Sequence, residues 1–266
     1  MNVRTNPATH DAEGASQSMR AQLRLREMIV GGELAPGARI AELAMVEALA
    51  MSRTPIRTAL VRLQEEGLLE ALPSGGFSVR DFSEADIHDA IELRGTLEGL
   101  AARLAAERGA PAAVLCEARG CLAALDAVLA APRLSDASFA RYAEHNARFH
   151  ALLAAMSGSA LVQRQVERAA ALPFASPNGF VMVDAGSTRA RDHLRAAHEQ
   201  HHALLEAIAA REGARAEALA REHARNARRN LADALCNQRS LQRVPGARLI
   251  RPRAPAEGRA GFADRP

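Results

Sequence analysis

The sequence predicts a mainly α fold in two parts: a unit of three short helices with a β-hairpin, then an all-α helical bundle. Three observations carry this expectation. Up to residue 66, apolar residues recur at helical spacing in three short segments, the first two separated by "GGELAPG". After Gly67, two short extended pieces flank "PSGG", the mark of a hairpin turn. From residue 82 to 237 an alanine-rich chain keeps the apolar period of buried-face helices, with no strand-like alternation of any length.

The elements follow in order. Residues 17–31 set Met19, Leu23, Leu25, Met28, Ile29 and Val30 on a broad apolar face, and Gly31, Gly32 and Pro36 end that helix. A second short helix fits residues 40–49. Ser52 is an N-cap for a third, which tolerates Pro55 in its first turn and runs to about residue 66, where Gly67 stops it. Strands are expected at 69–72 and 77–80. Ser83 then caps a long helix that ends near Gly109, and helices at about 111–130, 135–157, 159–172, 189–211 and 214–238 follow. The long irregular stretch at 173–188, "PFASPNGFVMVDAGST", is a candidate lid or dimer contact, because long loops in compact domains often carry function.

Composition bounds the function. A chain of 266 residues with 48% apolar and 24% charged residues can bury a core, and no run of about 18 uncharged apolar residues exists to span a bilayer. The polar start "MNVRTNPATHDAEGASQS" offers no signal peptide, so the expectation is a cytoplasmic protein with no membrane partner. Cys116, Cys121 and Cys236 follow no zinc-ribbon or redox spacing and receive no role. The net charge of +3 arises in the last 24 residues, which carry +4 and leave the remainder at −1. That segment is rich in proline, glycine and arginine and lacks a helical period, so 241–266 is expected to be a disordered tail and 1–16 a disordered arm. The two parts between are 17–81 and 82–240.

Three short helices and a hairpin are the order of a winged helix-turn-helix, whose third helix enters the major groove of double-stranded DNA. Arg53 and Arg57 lie four apart near the amino-terminal end of that helix, with Arg62 further along and the hydroxyls of Ser52 and Thr54 beside them. Guanidinium groups there can fork onto a guanine edge or a phosphate. Arg39 and the wing glycines Gly75 and Gly76 complete the candidate DNA face. The competing reading is a solvated helix whose arginines pair with Glu65, Glu66 or other acids, since residues 1–80 hold nine arginines and nine acids.

Residues 29–79, with "G.L.PG.RI" and "SRTPIR.AL..L...GLL" followed by a glycine wing, resemble the DNA-binding domain of the GntR family of bacterial transcription factors. Thr58 stands where many members carry glutamate. The resemblance implies a homodimer bound to a palindromic DNA operator.

Seven of nine histidines lie beyond the first bundle helix. Asn146 and His150 share a helix face, while His201 and His223 sit on two later helices; together they could hold a divalent metal, or each could be an ordinary helix residue. Here too the chain resembles a family pattern. "NARFH", "HHALLEAI" and "REHARN" match the FCD branch of the GntR family, an antiparallel helical bundle with a metal at its centre. The resemblance implies Asn146, His150, His201 and His223 as ligands, for zinc first and nickel or manganese as alternatives. His198 and His202 fall off the motif as pocket-lining or exposed residues. Arg94, in an "ELR..LE" setting, is implied as the partner of an effector carboxylate; alone, it reads equally as an exposed pair with Glu98. "PFASPNGFVMV" and "REGARAEALAREHA" resemble regulators of aromatic-acid catabolism such as the vanillate-responsive repressors.

A neutral asparagine leaves the ion's full charge, and with Arg94 this makes a pocket expected to have two positive anchors and no counter-charge. The resulting expectation is a repressor, not an enzyme, released from DNA by a small organic acid, with aromatic acids among the candidates. Two alternatives stand beside it: a metal-dependent hydrolase fused to a nucleic-acid-binding domain, which lacks an evident general base, and a DNA-binding protein with a purely structural metal and no effector.

Overall fold

The computed structural model describes residues 7–131, 134–178, 188–236, 241–242 and 244–251. Helix α1 (Pro7–Gly31) begins well ahead of the expected residue 17, so the arm expected to be disordered is helical from residue 7. Pro7 suits a first turn, where no N–H is needed, and Ala8, Ala12, Glu13 and Ala15 are strong helix formers. Helix α2 (Glu42–Leu49) ends on Ala50 in the left-handed region, and α3 (Arg53–Glu65) follows Ser52, which takes the extended N-cap conformation without a side-chain capping bond.

The wing pairs β2 (Leu69–Ala71) with β3 (Phe77–Val79) antiparallel, Leu69 facing Val79. A third strand, β1 (Arg39–Ile40), joins the free edge of β3 and makes the order β1-β3-β2. Two residues are too few for a periodic signal, which is why the helix expected at 40–49 took in Ile40. At the wing turn, Gly75 and Gly76 have φ of +86° and +82°, and a Cβ on Gly76 would lie 3.1 Å from the Ile40 carbonyl.

The bundle comprises α4 (Glu84–Arg108), α5 (Ala112–Ala130), α6 (Asp136–Met156), α7 (Ala160–Ala171), α8 (Thr188–Ala209) and α9 (Gly213–Cys236). Ser83 and Asp86 form a capping box at the start of α4. Helix α9 lies against α4 at two glycines: a Cβ on Gly95 would meet Ala224 Cβ at 2.6 Å, and one on Gly99 would meet Arg221 Cγ at 2.8 Å. Small residues in this i, i+4 pair let the two backbones close, and that closeness sets the geometry of the bundle centre.

The bundle has an apolar cluster of its own around Leu125, Phe149, Leu152 and Leu204, but the core of the winged unit extends into it. One apolar cluster joins Leu25, Ile29, Ile56, Leu60 and Leu69 of the winged unit to Ile87 and Ile91 of α4 and Leu231 of α9. Val244, Leu249 and Ile250 belong to the same cluster, a correction to the expected disordered tail from 241. Phe82 N–H donates to the Leu249 carbonyl at 2.7 Å, Arg251 N–H donates to the Phe82 carbonyl at 2.8 Å, and Arg251 pairs with Asp81 at 3.1 Å. The segment is a strap from the end of α9 back to the linker. Composition misread it because three apolar residues among arginines and prolines find partners only across the chain. Among the described residues, no helix is long and apolar enough to cross a membrane.

Candidate functional site

The amino-terminal end of α3 is an open face. Ser52, Arg53, Thr54 and Arg57 are exposed, while Ile56, Ala59, Leu60 and Leu63 on the opposite side are buried. Neither Arg53 nor Arg57 has an ion-pair partner among the described residues. Of the acids named as their possible partners, Glu66 accepts instead from Gln22 and pairs with Arg26 of α1. Arg62 turns away: half-buried in the last turn, its Nη1 donates to Gln22 Oε1 at 3.4 Å. It buttresses the α1–α3 packing and stands apart from the exposed pair. Arg39 is exposed on β1 and its Nη2 donates to the Gly75 carbonyl at 3.0 Å, which holds a cation at the wing tip.

The bundle centre brings three of the expected ligands together. Nε2 of His201 lies 2.9 Å from Nε2 of His223, which lies 3.3 Å from Nε2 of His150. Two of the outer nitrogens, those of His150 and His223, have partners that bear on the tautomer, while Nδ1 of His201 is buried without one. His150 Nδ1 donates to Glu98 Oε1 at 2.9 Å. For His223 the assignment runs through a chain of bonds: Arg229 can only donate, so it fixes Asn226 Oδ1 outward at 3.1 Å. Asn226 Nδ2 then faces Gln200 Oε1 at 2.6 Å, and that oxygen accepts from His223 Nδ1 at 3.1 Å. Both Nε2 atoms therefore present lone pairs inward, and a single proton on His201 can bridge to only one of them. Burial pushes the pKa of His201 well down and that of His223 to about 3, so these two imidazoles are neutral and available as ligands.

Asn146 is buried one turn before His150. Asn178 Nδ2 donates to the Ala143 carbonyl at 2.9 Å, so its Oδ1 accepts from Asn146 Nδ2 at 2.8 Å. That leaves Asn146 Oδ1 as the atom free for an ion. Residues 179–187 of the expected loop lie outside the described residues.

Arg94 corrects two expectations. It is paired with Glu98, as its local spacing allowed, but the pair is buried, with both side chains only 2% exposed and Nη1 to Oε2 at 2.8 Å. The pocket thus has a counter-charge. Burial pushes the Glu98 carboxyl up, yet Arg94 and His150 outweigh it and hold the pKa at about 2. Arg94 Nε remains buried with no hydrogen-bond partner.

The profile of bacterial regulatory proteins of the gntR family matches residues 17–79, and that of the FCD domain matches residues 89–226, more than half of the chain. The chain belongs to the GntR family, in its FCD branch. A transcriptional regulator of Agrobacterium vitis is 35% identical over 153 residues, 57% of this chain and 86% of the relative. The Escherichia coli transcriptional repressor GlaR is 29% identical over 202 residues, 75% of this chain and 88% of GlaR. The solved structure of Escherichia coli McbR shares the fold, with a TM-score of 0.56 at 22% identity over 82% of this chain and 96% of that one.

This GntR regulator is thus a DNA-binding transcriptional regulator that recognises an operator, and the hydrolase alternative is set aside. The sequence reading missed Glu98, Gln200 and Asn178, the residues that hold the histidines and asparagine in place. For Glu98 a signal existed: it lies directly before Gly99, at the contact where α9 closes. Outside the centre, His198, His202 and Asp126 form a second trio. A cleft of about 440 Å³ separates the winged unit from the bundle, with Arg26 and Leu68 on one side, Phe139 and Ala143 on the other and Asn178 in its wall.

Proposed function

We propose that this regulator is a homodimeric repressor whose winged units bind the half-sites of a palindrome and whose bundle holds a divalent metal and a small carboxylate effector. The supporting observation for the metal is the convergence of three histidine Nε2 atoms, with neighbouring distances of 2.9 and 3.3 Å, in a buried centre. Ligand atoms around a tetrahedral zinc with bonds of about 2.0–2.1 Å stand about 3.3 Å apart, so the trio fits. His150, His201 and His223 would hold the ion, with Asn146 Oδ1 as a fourth donor; zinc leads, with nickel or manganese as alternatives. When bound, the ion would supply a positive centre able to attract an anionic ligand.

Glu98 is held by Arg94 and orients His150, a carboxylate–histidine arrangement that favours metal binding. The unpartnered Nε of Arg94 supports an effector acid near the same centre. Asn178 links the centre to the interdomain cleft, so a ligand that moves Asn146 also bears on a wall facing Arg26 and Leu68.

The test is operator binding titrated with small carboxylic acids, aromatic ones included, with and without a chelator. An active acid should release DNA, its methyl ester should do so far more weakly, and chelation should abolish the difference. Arg94→Gln should raise the acid concentration needed by about tenfold, a coupling of about 1.4 kcal/mol. Equal potency of acid and ester would overturn the effector reading; a parent protein that takes up no metal would overturn the metal reading.

The DNA face makes a separate prediction. Arg53→Ala and Arg57→Ala should each weaken operator binding by about 1–3 kcal/mol with melting temperatures unchanged, because both guanidiniums are exposed. Arg62→Ala should instead lower stability and affect DNA binding only through it. Operator titrations beside thermal melts would separate the two outcomes.

A further inference from the structure

Asp126 of α5 and His198 and His202 of α8 meet on the outer face of the bundle, away from the Asn–His signature of the family branch. His198 Nε2 lies 2.7 Å from Asp126 Oδ1, His202 Nε2 lies 3.2 Å from the same oxygen, and the two nitrogens are 3.1 Å apart. The three atoms form a nearly equilateral triangle. A hydrogen-bonded cluster does not favour that shape, because two N–H donors on one carboxylate oxygen would approach at about 60° to each other when its lone pairs diverge by about 120°. Each donor would also face the other's hydrogen. Tetrahedral zinc, with bonds of about 2.0–2.2 Å to nitrogen and oxygen, sets neighbouring ligand atoms about 3.3 Å apart, close to the 3.1 and 3.2 Å edges, while the 2.7 Å edge would have to open.

The alternative of an ordinary histidine–aspartate ion pair fits less well. Nδ1 of His198 is buried with no hydrogen-bond partner, as is Nδ1 of His201, and it would carry the ring proton when Nε2 binds a metal just as it would in an imidazolium. Burial lowers the pKa of His198 despite the nearby Asp126, which favours the neutral ring that a metal requires. The i, i+4 spacing of His198 and His202 sets both rings on one helix face, and the carboxylate comes from a second helix, so an ion would cross-link the two. An adjoining cleft lined by Arg119, Asp126, His202 and Glu206 leaves the outer side open to water or an anion.

We propose that Asp126, His198 and His202 form a second divalent-cation site of the zinc type, which pins α5 to α8 and leaves at least one coordination position open. His198 and His202 flank His201 on α8, and the His198 ring packs edge-on to His201 with centroids 6.0 Å apart. Occupancy of the outer site therefore steadies a histidine of the central trio. The proposal stands whether or not the central trio binds metal.

The experiment uses the full chain, stripped with a chelator and dialysed to equilibrium against zinc chloride at micromolar free zinc, with metal per chain read by elemental analysis. The parent should hold two ions per chain, while Asp126→Asn and His202→Ala should each hold one. Both side chains are about half exposed, so these variants should fold, and circular dichroism of the stripped proteins checks it. His150→Ala should lose the other ion, and His150→Ala/His202→Ala should hold none. A single ion lost in His202→Ala but kept in His150→Ala would uphold this site and remove the central one. A parent with no ion, or metal content unchanged by both Asp126→Asn and His202→Ala, would overturn it.

Discussion

Glu98→Ala is expected to lower the stability of the metal-free protein by about 3–5 kcal/mol, because it strands the Arg94 guanidinium as an unpaired buried charge. The same change removes the acceptor of His150 Nδ1, so metal affinity should fall by about 10- to 100-fold beyond any loss of fold. Urea unfolding of stripped protein and a zinc competition assay under native conditions read the two effects separately. The double variant Arg94→Leu/Glu98→Leu discriminates further. Replacing both partners of a buried pair by apolar groups is commonly near neutral, so the double variant should recover most of the stability but not the metal affinity. A Glu98→Ala protein as stable as the parent would mean that the pair is not buried as described. Recovery of metal affinity in the double variant would mean that Glu98 does not orient His150.

The helical frame was legible because its signals are local. Ser83 and Asp86 announce the start of α4 three residues apart, and the five later bundle helices end within about two residues of where glycine, proline and serine predicted them. The exposure of Arg53 and Arg57 was legible for the same reason: they lie one turn apart, and burial of Ile56 and Leu60 leaves them outside. The contact of Arg62 with α1 was not legible, because its spacing says nothing about Gln22, 40 residues away. The centre was half legible. His150, His201 and His223 could be chosen by register, but their supports come from other helices: Glu98 is 52 residues from His150, and Gln200 is 23 from His223. Asp126 lay hidden likewise, 72 residues before His198. A second shell is a tertiary property, and a one-dimensional pattern records it only indirectly, as with Gly95 and Gly99 marking where α9 must close on α4.

Ending the chain after residue 242 should destabilise the winged unit strongly, although the removed segment has the composition of a disordered tail. Val244, Leu249 and Ile250 are each less than 8% exposed and pack into the cluster that contains Leu25, Ile29, Ile56 and Leu60. At about 1.5–3 kcal/mol per buried aliphatic side chain, the loss of all three should remove about 5–9 kcal/mol, an upper bound because an unfolded chain already buries part of this surface. Truncation also leaves the backbone N–H and carbonyl of Phe82, now bonded to Arg251 and Leu249, to find other partners at the linker between the winged unit and α4. A chain ended after Arg251 keeps every one of these contacts and should unfold like the parent. Urea melts of the two truncations, with operator binding measured beside them, test the assignment: the shorter chain should lose operator affinity together with stability, and the longer one should keep both. Equal stability of the two truncations would show that the strap rests on the winged unit without supporting it. Loss in the shorter chain alone would make the end of α9 part of the DNA-binding unit, so that strain arising at His223 has a covalent route through α9 and the strap to the core beneath α3.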